Sequence, residues 1–277
     1  MSEPDQRIAP LLRPGQLWQQ VQRTTRDAIE SGALQPITTH TEVVWELGLP
    51  FVIRCVSSLR RKVAARGTRR AAPPNPFLNP DPRLVVADVP PQHRCLLNKF
   101  NVFEHHILVV TRAFERQEAL LDVNDFAALL SCMRAGPALA FYNSSPTAGA
   151  SQPHKHLQLL PLPIDNPAQT PLPLHTAIVS GSLPFRHAVG PFCWSPSKLH
   201  GTYLQLLERI GRRTPPSPYN LLLTPEWVLA VPRTREHFAA ISLNALAFAG
   251  SLLVRETTQL QRLRSAGPLA ALTAVSE

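Results

Sequence analysis

Short apolar runs broken by proline and glycine make up most of the chain. Only a few stretches carry the three- and four-residue spacing of an amphipathic helix. Residues 14–31 carry it: Leu17, Val21, Ala28 and Ile29 share one face and Gly32 can end the helix. Residues 42–54, with Val43, Val44, Trp45, Leu47, Phe51, Val52 and Ile53, predict two short strands around Gly48-Leu49-Pro50. Further strands are expected at Leu84–Ala87, Arg94–Leu97, Ile107–Thr111 and Ala138–Tyr142. Between them, Asp122–Arg134 predicts a helix capped by Asp122 or Asn124 and striped by Phe126, Leu129, Leu130 and Met133. A polar turn of small residues, Asn143–Gln152, leads into a strand over His154–Leu160. Residues 163–185 are proline-rich and read as irregular. A helix over 197–211 uses Leu199, Tyr203, Leu206, Leu207 and Ile210, and a hairpin follows from Tyr219–Thr224 and Trp227–Val231 around Pro225-Glu226. The stripe Leu243, Leu246, Ala247, Leu252 and Leu253 predicts a last helix over Ser242–Glu256. No regular βαβ spacing links these elements, which points to an α+β fold with a mainly antiparallel sheet flanked by helices.

Composition narrows the class. A chain of 277 residues holds one large domain or two small fused ones. No run approaches about 18 consecutive apolar residues. The polar first residues lack the basic and apolar regions of a signal peptide, so a cytoplasmic location without membrane contact is expected. Cys55, Cys95, Cys132 and Cys193 form no C-x-x-C pair and read as four free thiols. The net charge of +9 favours anionic partners, either nucleotides and phosphate or nucleic acid. Much of the excess sits between Arg60 and Arg70, a block that reads as a solvated loop from which Lys62 can reach a polyphosphate.

The candidate chemistry lies on one strand. Alternate residues of a strand share a face about 6.6–6.8 Å apart. His154, His156 and Gln158 therefore project to one side, and Lys155 and Leu157 to the other. Such a face can be merely solvated, or it can hold a metal, or it can carry a nucleophile. The metal reading lacks a third ligand at an evident spacing, although His175 and His187 are free to help. The nucleophile reading has support from the neighbours. Imidazole is largely neutral near pH 7 and can attack an α-phosphate, which splits one hard step into two easier ones. The turn before the strand offers backbone N–H groups, Ser144, Ser151, and the amides of Asn143 and Gln152 to phosphate oxygens. Lys155, Lys99 and Lys62 are candidates to neutralise developing charge. The chain has no Walker A loop and no G-x-G-x-x-G, so a nucleotide must be held another way. Trp194 and Trp227 read as core residues rather than adenine platforms, and His105-His106 as a strand entry.

The run Gly149-Ala150-Ser151-Gln152-Pro153-His154-Lys155-His156-Leu157-Gln158 resembles the signature of the diadenosine tetraphosphate (Ap4A) phosphorylases, also called ATP adenylyltransferases. That family sits in the histidine-triad superfamily beside the galactose-1-phosphate uridylyltransferases. Hydrolytic members of the superfamily carry a third histidine where this chain has Gln158, so the resemblance implies a transferase. Cys95–Val102 with His105–Arg112 is similar to the family's nucleotide-pocket segment, and Tyr219–Thr224 with Trp227–Arg233 is similar to its C-terminal half. Pro153 departs from the charged residue expected before His154, which puts the phosphate contact there in question and leaves the histidine pattern intact.

This resemblance implies a histidine-triad-like, uridylyltransferase-like fold. It also implies a single unit with an N-terminal nucleotide-binding and catalytic part over about 10–165 and a C-terminal part over about 190–265. His156 would be the nucleophile that carries AMP, His154 its support and Gln158 a donor to the transferred phosphoryl group. Asn143, Ser144, Gly149, Ser151, Gln152 and Lys155 would serve the polyphosphate, and Lys62, Asn98, Lys99 and Asn101 the nucleotide. The implied reaction is reversible phosphorolysis of Ap4A by inorganic phosphate to ATP and ADP, with no covalently bound cofactor, no metal ligated by the protein and Mg2+ travelling with the nucleotide. Two other readings stand beside it. One is a related nucleotidyltransferase or hydrolase with another acceptor. The other is a catalytically silent, basic nucleic-acid-binding protein, which the complete His-x-His-x-Gln pattern and the lack of any nucleic-acid-binding motif oppose.

Overall fold

The computed structural model describes residues 11–12, 15–56, 75–165, 169–211 and 217–276. Lys62 and the basic block from Arg60 to Arg70 lie outside the described residues.

The chain enters through α1 (Leu17–Glu30), which buries Leu17, Val21 and Ala28. Ile29, expected on the same face, is half exposed, because a helix that turns Ala28 inward carries the next residue about 100° away from the core. A hairpin follows, with β1 (Thr39–Glu46) and β2 (Leu49–Val56) in register from Glu46 opposite Leu49. Its two-residue turn places both Leu47 and Gly48 at positive φ, the hairpin geometry that matches strand twist.

Eight strands then build one antiparallel sheet. In chain order they are β3 (Val85–Val89), β4 (His93–Leu97), β5 (Ile107–Thr111), β6 (Ala138–Asn143), β7 (His156–Pro161), β8 (Ala188–Pro191), β9 (Tyr219–Leu223) and β10 (Trp227–Pro232). Their spatial order is β3-β4-β5-β7-β6-β9-β10-β8. The pairing of β6 with β9 joins the N-terminal strands to the C-terminal hairpin, so one sheet runs through both halves.

The two sheet faces bury different layers. Leu157, Leu159, Val109, Tyr142 and Leu221 pack under α1, α2 (Val123–Met133) and α4 (Pro196–Arg209). Phe141, Leu160, Leu222 and Leu229 pack under a second layer that includes β2, the short helix α3 (His175–Ser180) and the C-terminal segments. Helix α2 starts as its sequence suggests. Asp122 accepts from the backbone of Asn124 and Asp125, and Asp125 closes a capping box by accepting from the Asp122 N–H.

The last expected helix is not formed. Across Ser242–Glu256 the chain makes β12 (Ile241–Ser242), paired with β11 (His237–Phe238), then a 3-10 turn over Ala245–Ala249, then β13 (Ser251–Val254). Gly250 separates turn from strand at φ +91°, and β13 pairs in parallel with β2 from Ser251 opposite Val52. The same apolar spacing is served by two different backbones, because Leu243, Leu246, Ala247 and Leu252 are buried in both readings, whereas Leu253 is turned outward. Helices α5 (Thr257–Ala266) and α6 (Pro268–Ser276) follow, where none was expected. Residues 163–185, expected to be irregular, contain α3. No helix among the described residues is long and apolar enough to cross a membrane.

Beneath β7 lies a buried ionic cluster. Lys155 Nζ donates to Glu115 Oε2 at 2.6 Å, to Asp125 Oδ2 at 3.1 Å and to the Leu120 carbonyl at 3.3 Å. Asp125 Oδ1 meets His93 Nε2 at 2.8 Å. Burial pushes the Asp125 carboxyl up, but His93 and Lys155 outweigh it and hold it below the usual carboxylate range. The cluster ties α2 and β4 to the start of β7. Asp125→Ala should therefore lower the unfolding free energy by about 3–5 kcal/mol, the cost of stripping one partner from a buried pair. Lys155→Met on top of it should recover part of that loss. Urea titration of the two variants checks this, and a loss below roughly 1 kcal/mol for Asp125→Ala would show the cluster to be no tighter than a surface pair.

Candidate active site

The sheet face opposite the ionic cluster opens onto a cavity of about 720 Å³. In an antiparallel pair, residues directly opposite share a face. The register places Gln158 opposite Leu108 on one side and opposite Phe141 on the other, with His156 opposite Val110. Asn143 stands opposite Asn220 on the next pair. His106, Leu108, Asn143, His156 and Gln158 thus line one wall of the cavity. Leu96, opposite Leu108 on β4, extends this wall, and the other walls come from Pro76–Asp81, Leu97–Phe100, the 149–152 turn and the 242–247 segment.

Strand β7 begins at His156, and His154 precedes it in an isolated bridge to Arg116. The His156 N–H donates to Gln117 Oε1 at 2.9 Å, while Gln117 Nε2 donates to the Asn143 carbonyl at 2.7 Å. One buried carboxamide therefore pins the end of β6 to the start of β7, where the two strands part. Gln117 N also donates to the Pro153 carbonyl at 2.8 Å, so the proline that lacks a donor still contributes an acceptor.

The His156 ring is oriented by its own chain. Nδ1 lies 2.8 Å from the His154 carbonyl, an acceptor only, so Nδ1 carries the proton. Nε2 is left unprotonated, without a partner among the described residues, in a ring that lines the cavity. Burial pushes the His156 pKa down to about 4, helped by the nearby His154 and opposed by the carbonyl hydrogen bond. The ring packs 5.3 Å from that of Phe77.

His154 sits behind the cavity wall. Its Nε2 lies 2.8 Å from the Thr111 carbonyl, which leaves Nδ1 to accept from Asn75 Nδ2 at 3.0 Å. Phe77 and Phe114 enclose its ring edge-on. What it offers His156 is its carbonyl oxygen and a fixed backbone.

Two amides face the cavity with their oxygens already engaged. Gln158 Oε1 accepts from His106 Nε2 at 3.0 Å, and His106 Nδ1 accepts from Asn98 Nδ2 at 3.1 Å. Burial lowers the His106 pKa to about 4, which keeps this relay neutral and its direction fixed. Asn143 Oδ1 accepts from Asn220 Nδ2 at 2.8 Å and from Ala245 N at 2.9 Å. The free valences of both side chains are therefore NH2 groups.

The remaining sequence candidates divide. Asn98, Lys99, Gly149, Ser151 and Gln152 line the cavity. Gly149 has φ +92°, and a Cβ there would meet Asn244 Cβ at 2.8 Å and the Leu243 carbonyl at 2.9 Å, so the turn can approach the 242–247 segment only with glycine at this position. Ser144 and Asn101 do not line it. Ser144 Oγ accepts from Tyr219 N at 2.8 Å and tethers the turn to β9, while Asn101 Nδ2 donates to the Phe103 carbonyl at 2.8 Å. Lys155 points into the ionic cluster on the other face and is corrected from a phosphate contact to a support of the strand, as the pleat requires. Lys62 lies outside the described residues. Trp227 is buried in the core, whereas Trp194 is half exposed beneath the Arg134 guanidinium and lines neither core nor cavity. His175 meets Glu226 and His187 the Phe185 carbonyl, and neither lines the cavity.

Gln117, Asn220 and the roles of His106 were not read from the sequence. His106 had a usable signal, because it stands two residues before Leu108 and shares its face. Asn220 had one too, as a lone amide in the apolar run Tyr219–Leu223. Gln117 lies in a loop and had none.

Comparison with known proteins gives the same direction. Residues 7–180 match the Ap4A phosphorylase N-terminal domain and residues 181–276 the ATP adenylyltransferase C-terminal domain. From Saccharomyces cerevisiae, diadenosine 5',5'''-P1,P4-tetraphosphate phosphorylase 2 is 29% identical over 248 residues, covering 74% of this chain and 76% of its own. Protein APA1 of the same organism is 28% identical over 272 residues, covering 83% and 84%. The crystal structures of yeast Ap4A phosphorylase Apa2 in complex with AMP and with Ap4A each superpose with a TM-score of 0.77 at 24% identity, covering 94% of this chain and 97% of that one, which shows a shared fold. Two family models that together span residues 7–276 place this chain in the Ap4A phosphorylase/ATP adenylyltransferase family, a family of nucleotidyltransferase enzymes.

Proposed function

We propose that the protein transfers AMP from Ap4A to inorganic phosphate, with His156 as the group that carries AMP between them. The observation that supports this most directly is the fixed tautomer of His156, whose ring, with Nε2 unprotonated, lines the same cavity wall as Asn143 and Gln158, the two amides whose NH2 groups are left free. In the first step the Nε2 lone pair attacks the α-phosphorus of one adenylate, the bond to the bridging oxygen breaks, and ATP leaves. The imidazole becomes a phosphoramidate whose positive charge is stabilised by the Nδ1–H bond to the His154 carbonyl. In the second step a phosphate oxygen attacks the same phosphorus, the N–P bond breaks, and ADP leaves with Nε2 unprotonated again. Donors aimed at the equatorial oxygens stabilise the charge that develops there. Asn143, Gln158 and the turn residues Ser151 and Gln152 fill that role, with Lys99 toward the polyphosphate and a magnesium ion carried on the nucleotide, while the Gly149 and Ala150 N–H groups are spent on the Pro146 and Ser145 carbonyls. The apolar wall of Phe100, Val102 and Phe103 is suited to a base.

Chromatography of products from Ap4A should show ATP and ADP only when inorganic phosphate is present. ATP and AMP without phosphate would make water the acceptor and overturn the phosphorolytic reading. His156→Ala should lower turnover by about 10⁴-fold or more, the scale seen when a nucleophile is removed, with unfolding still cooperative.

The depressed histidines set a pH dependence. An unperturbed imidazole would be half protonated near pH 6.5. His156, at about 4, stays nucleophilic well below that, so the single-turnover rate of adenylyl transfer should be flat from pH 8 to about 5.5. Stability should behave differently. For His106 and His156 the folded pKa lies below the unfolded value, so their contribution is complete above about pH 6.5 and is lost as pH falls toward 4. Rate and urea midpoint measured on the same samples check both signs, and a rate that halves near pH 6.5 would contradict the assignment of His156.

A further inference from the structure

Arg233 follows β10 and is 2% exposed. Its guanidinium forms no salt bridge among the described residues and is held by oxygens of amides. Nη1 donates to Asn220 Oδ1 at 2.6 Å and to the Ala148 carbonyl at 3.2 Å. Nη2 donates to the Arg235 carbonyl at 2.8 Å and to that of Glu236 at 3.3 Å, and Nε to the Val275 carbonyl at 3.2 Å. Burial lowers its pKa to about 10, which leaves it cationic at neutral pH. The Glu236 carboxylate is near enough to oppose that shift but makes no direct ion pair with the guanidinium, which therefore polarises the oxygens that accept from it.

The shortest of its contacts leads to the site. Asn220, fully buried, accepts from Arg233 on Oδ1 and donates through Nδ2 to Asn143 Oδ1 at 2.8 Å and to the Ala148 carbonyl at 2.8 Å. Asn143 in turn has only its Nδ2 left for the cavity. All bonds in this row run in one direction, from the guanidinium toward the cavity, and hydrogen bonds in such a row strengthen one another. The Ala148 carbonyl, shared by Arg233 and Asn220, holds the 3-10 turn that opens onto Gly149.

We propose that Arg233 is a positioning residue for adenylyl transfer, acting through Asn220 to lock and polarise the Asn143 carboxamide so that its NH2 group faces the transferred phosphoryl group. This rests on the function proposed above. The arrangement adds the polarity of a buried cation at Asn143, separate from the charge that Lys99 brings to the cavity lining. A donor fixed from behind is aimed at one position and needs no reorganisation during the step.

A double-mutant cycle between Arg233 and Asn143 tests the proposal. With Ap4A and phosphate, Arg233→Lys should lower kcat about tenfold, the scale of a weakened charge-assisted hydrogen bond, with KM little changed. In an Asn143→Ala background the same substitution should change kcat less than about twofold, as expected when one residue acts only through the other. An equal loss in both backgrounds would mean that Arg233 only holds the turn, and would overturn the relay. Asn220→Ala gives a second arm that leaves the four carbonyl partners of Arg233 in place, and it should show the same dependence on Asn143. AMP affinity measured calorimetrically through the same cycle reads the relay without turnover. If wild-type protein binds AMP but yields no ADP from Ap4A and phosphate, the proposed function fails, while the affinity cycle still decides the relay.

Discussion

Strand β7 is hydrogen-bonded on both sides, to β5 and to β6, and its register cannot slip without exchanging its faces. One face must bury Leu157 and Leu159 with the ammonium of Lys155 in its ionic cluster, and the other must present His156 and Gln158 to a cavity. A shift by one residue would drive the ammonium of Lys155 into the cavity and the imidazole into apolar packing. The chemistry of the cavity thus depends on the satisfaction of a charge it never meets. Asp125, Glu115 and His93 do not line the cavity, yet they help decide which side chains of the strand do.

A second regularity concerns acceptors. In His156, Gln158 and Asn143 alike, one polar atom is engaged from behind, and the atom left over is the useful one. The His154 carbonyl takes the Nδ1 proton, His106 occupies the Gln158 oxygen, and Asn220 with the Ala245 N–H occupies the Asn143 oxygen. Neutral groups that could each point either way are thereby turned into one lone pair and two donors. This is how neutral side chains on the β6–β7 wall can suit an anion, orientation adding to the charge that Lys99 brings to the lining. The excess of positive charge on the chain contributes attraction at longer range.

The partners that impose these orientations come from across the chain. His106 stands immediately before β5, Asn220 is on β9 and Ala245 is in the turn before β13. The sheet supplies most of this convergence through its order, because β6 and β7 are flanked by β9 and β5. The two halves matched by separate family models therefore share one sheet, and the Asn143 donor of the N-terminal half is set by Asn220 and Ala245 of the C-terminal half.

The hairpins, the helices α1, α2 and α4 and the antiparallel class were legible from spacing alone, since each buries its face against whatever layer covers it. The pair His156 and Gln158 was legible for the same reason, as alternation in a strand is a local property. The region 242–256 shows where that logic ends. Its apolar spacing fits a helix, and only the open edge of β2, about two hundred residues earlier in the chain, makes a strand the better solution for Ser251–Val254. Lys155 marks a similar limit: its neighbours in sequence suggest a phosphate contact, whereas the acids that neutralise it arrive from Glu115 and Asp125 through the fold. The sequence by itself determined which residue types stand in alternation and where the chain must turn. Only the tertiary structure decided which atom of each group is left free, because a hydrogen-bond partner is set by distance in space and not along the chain.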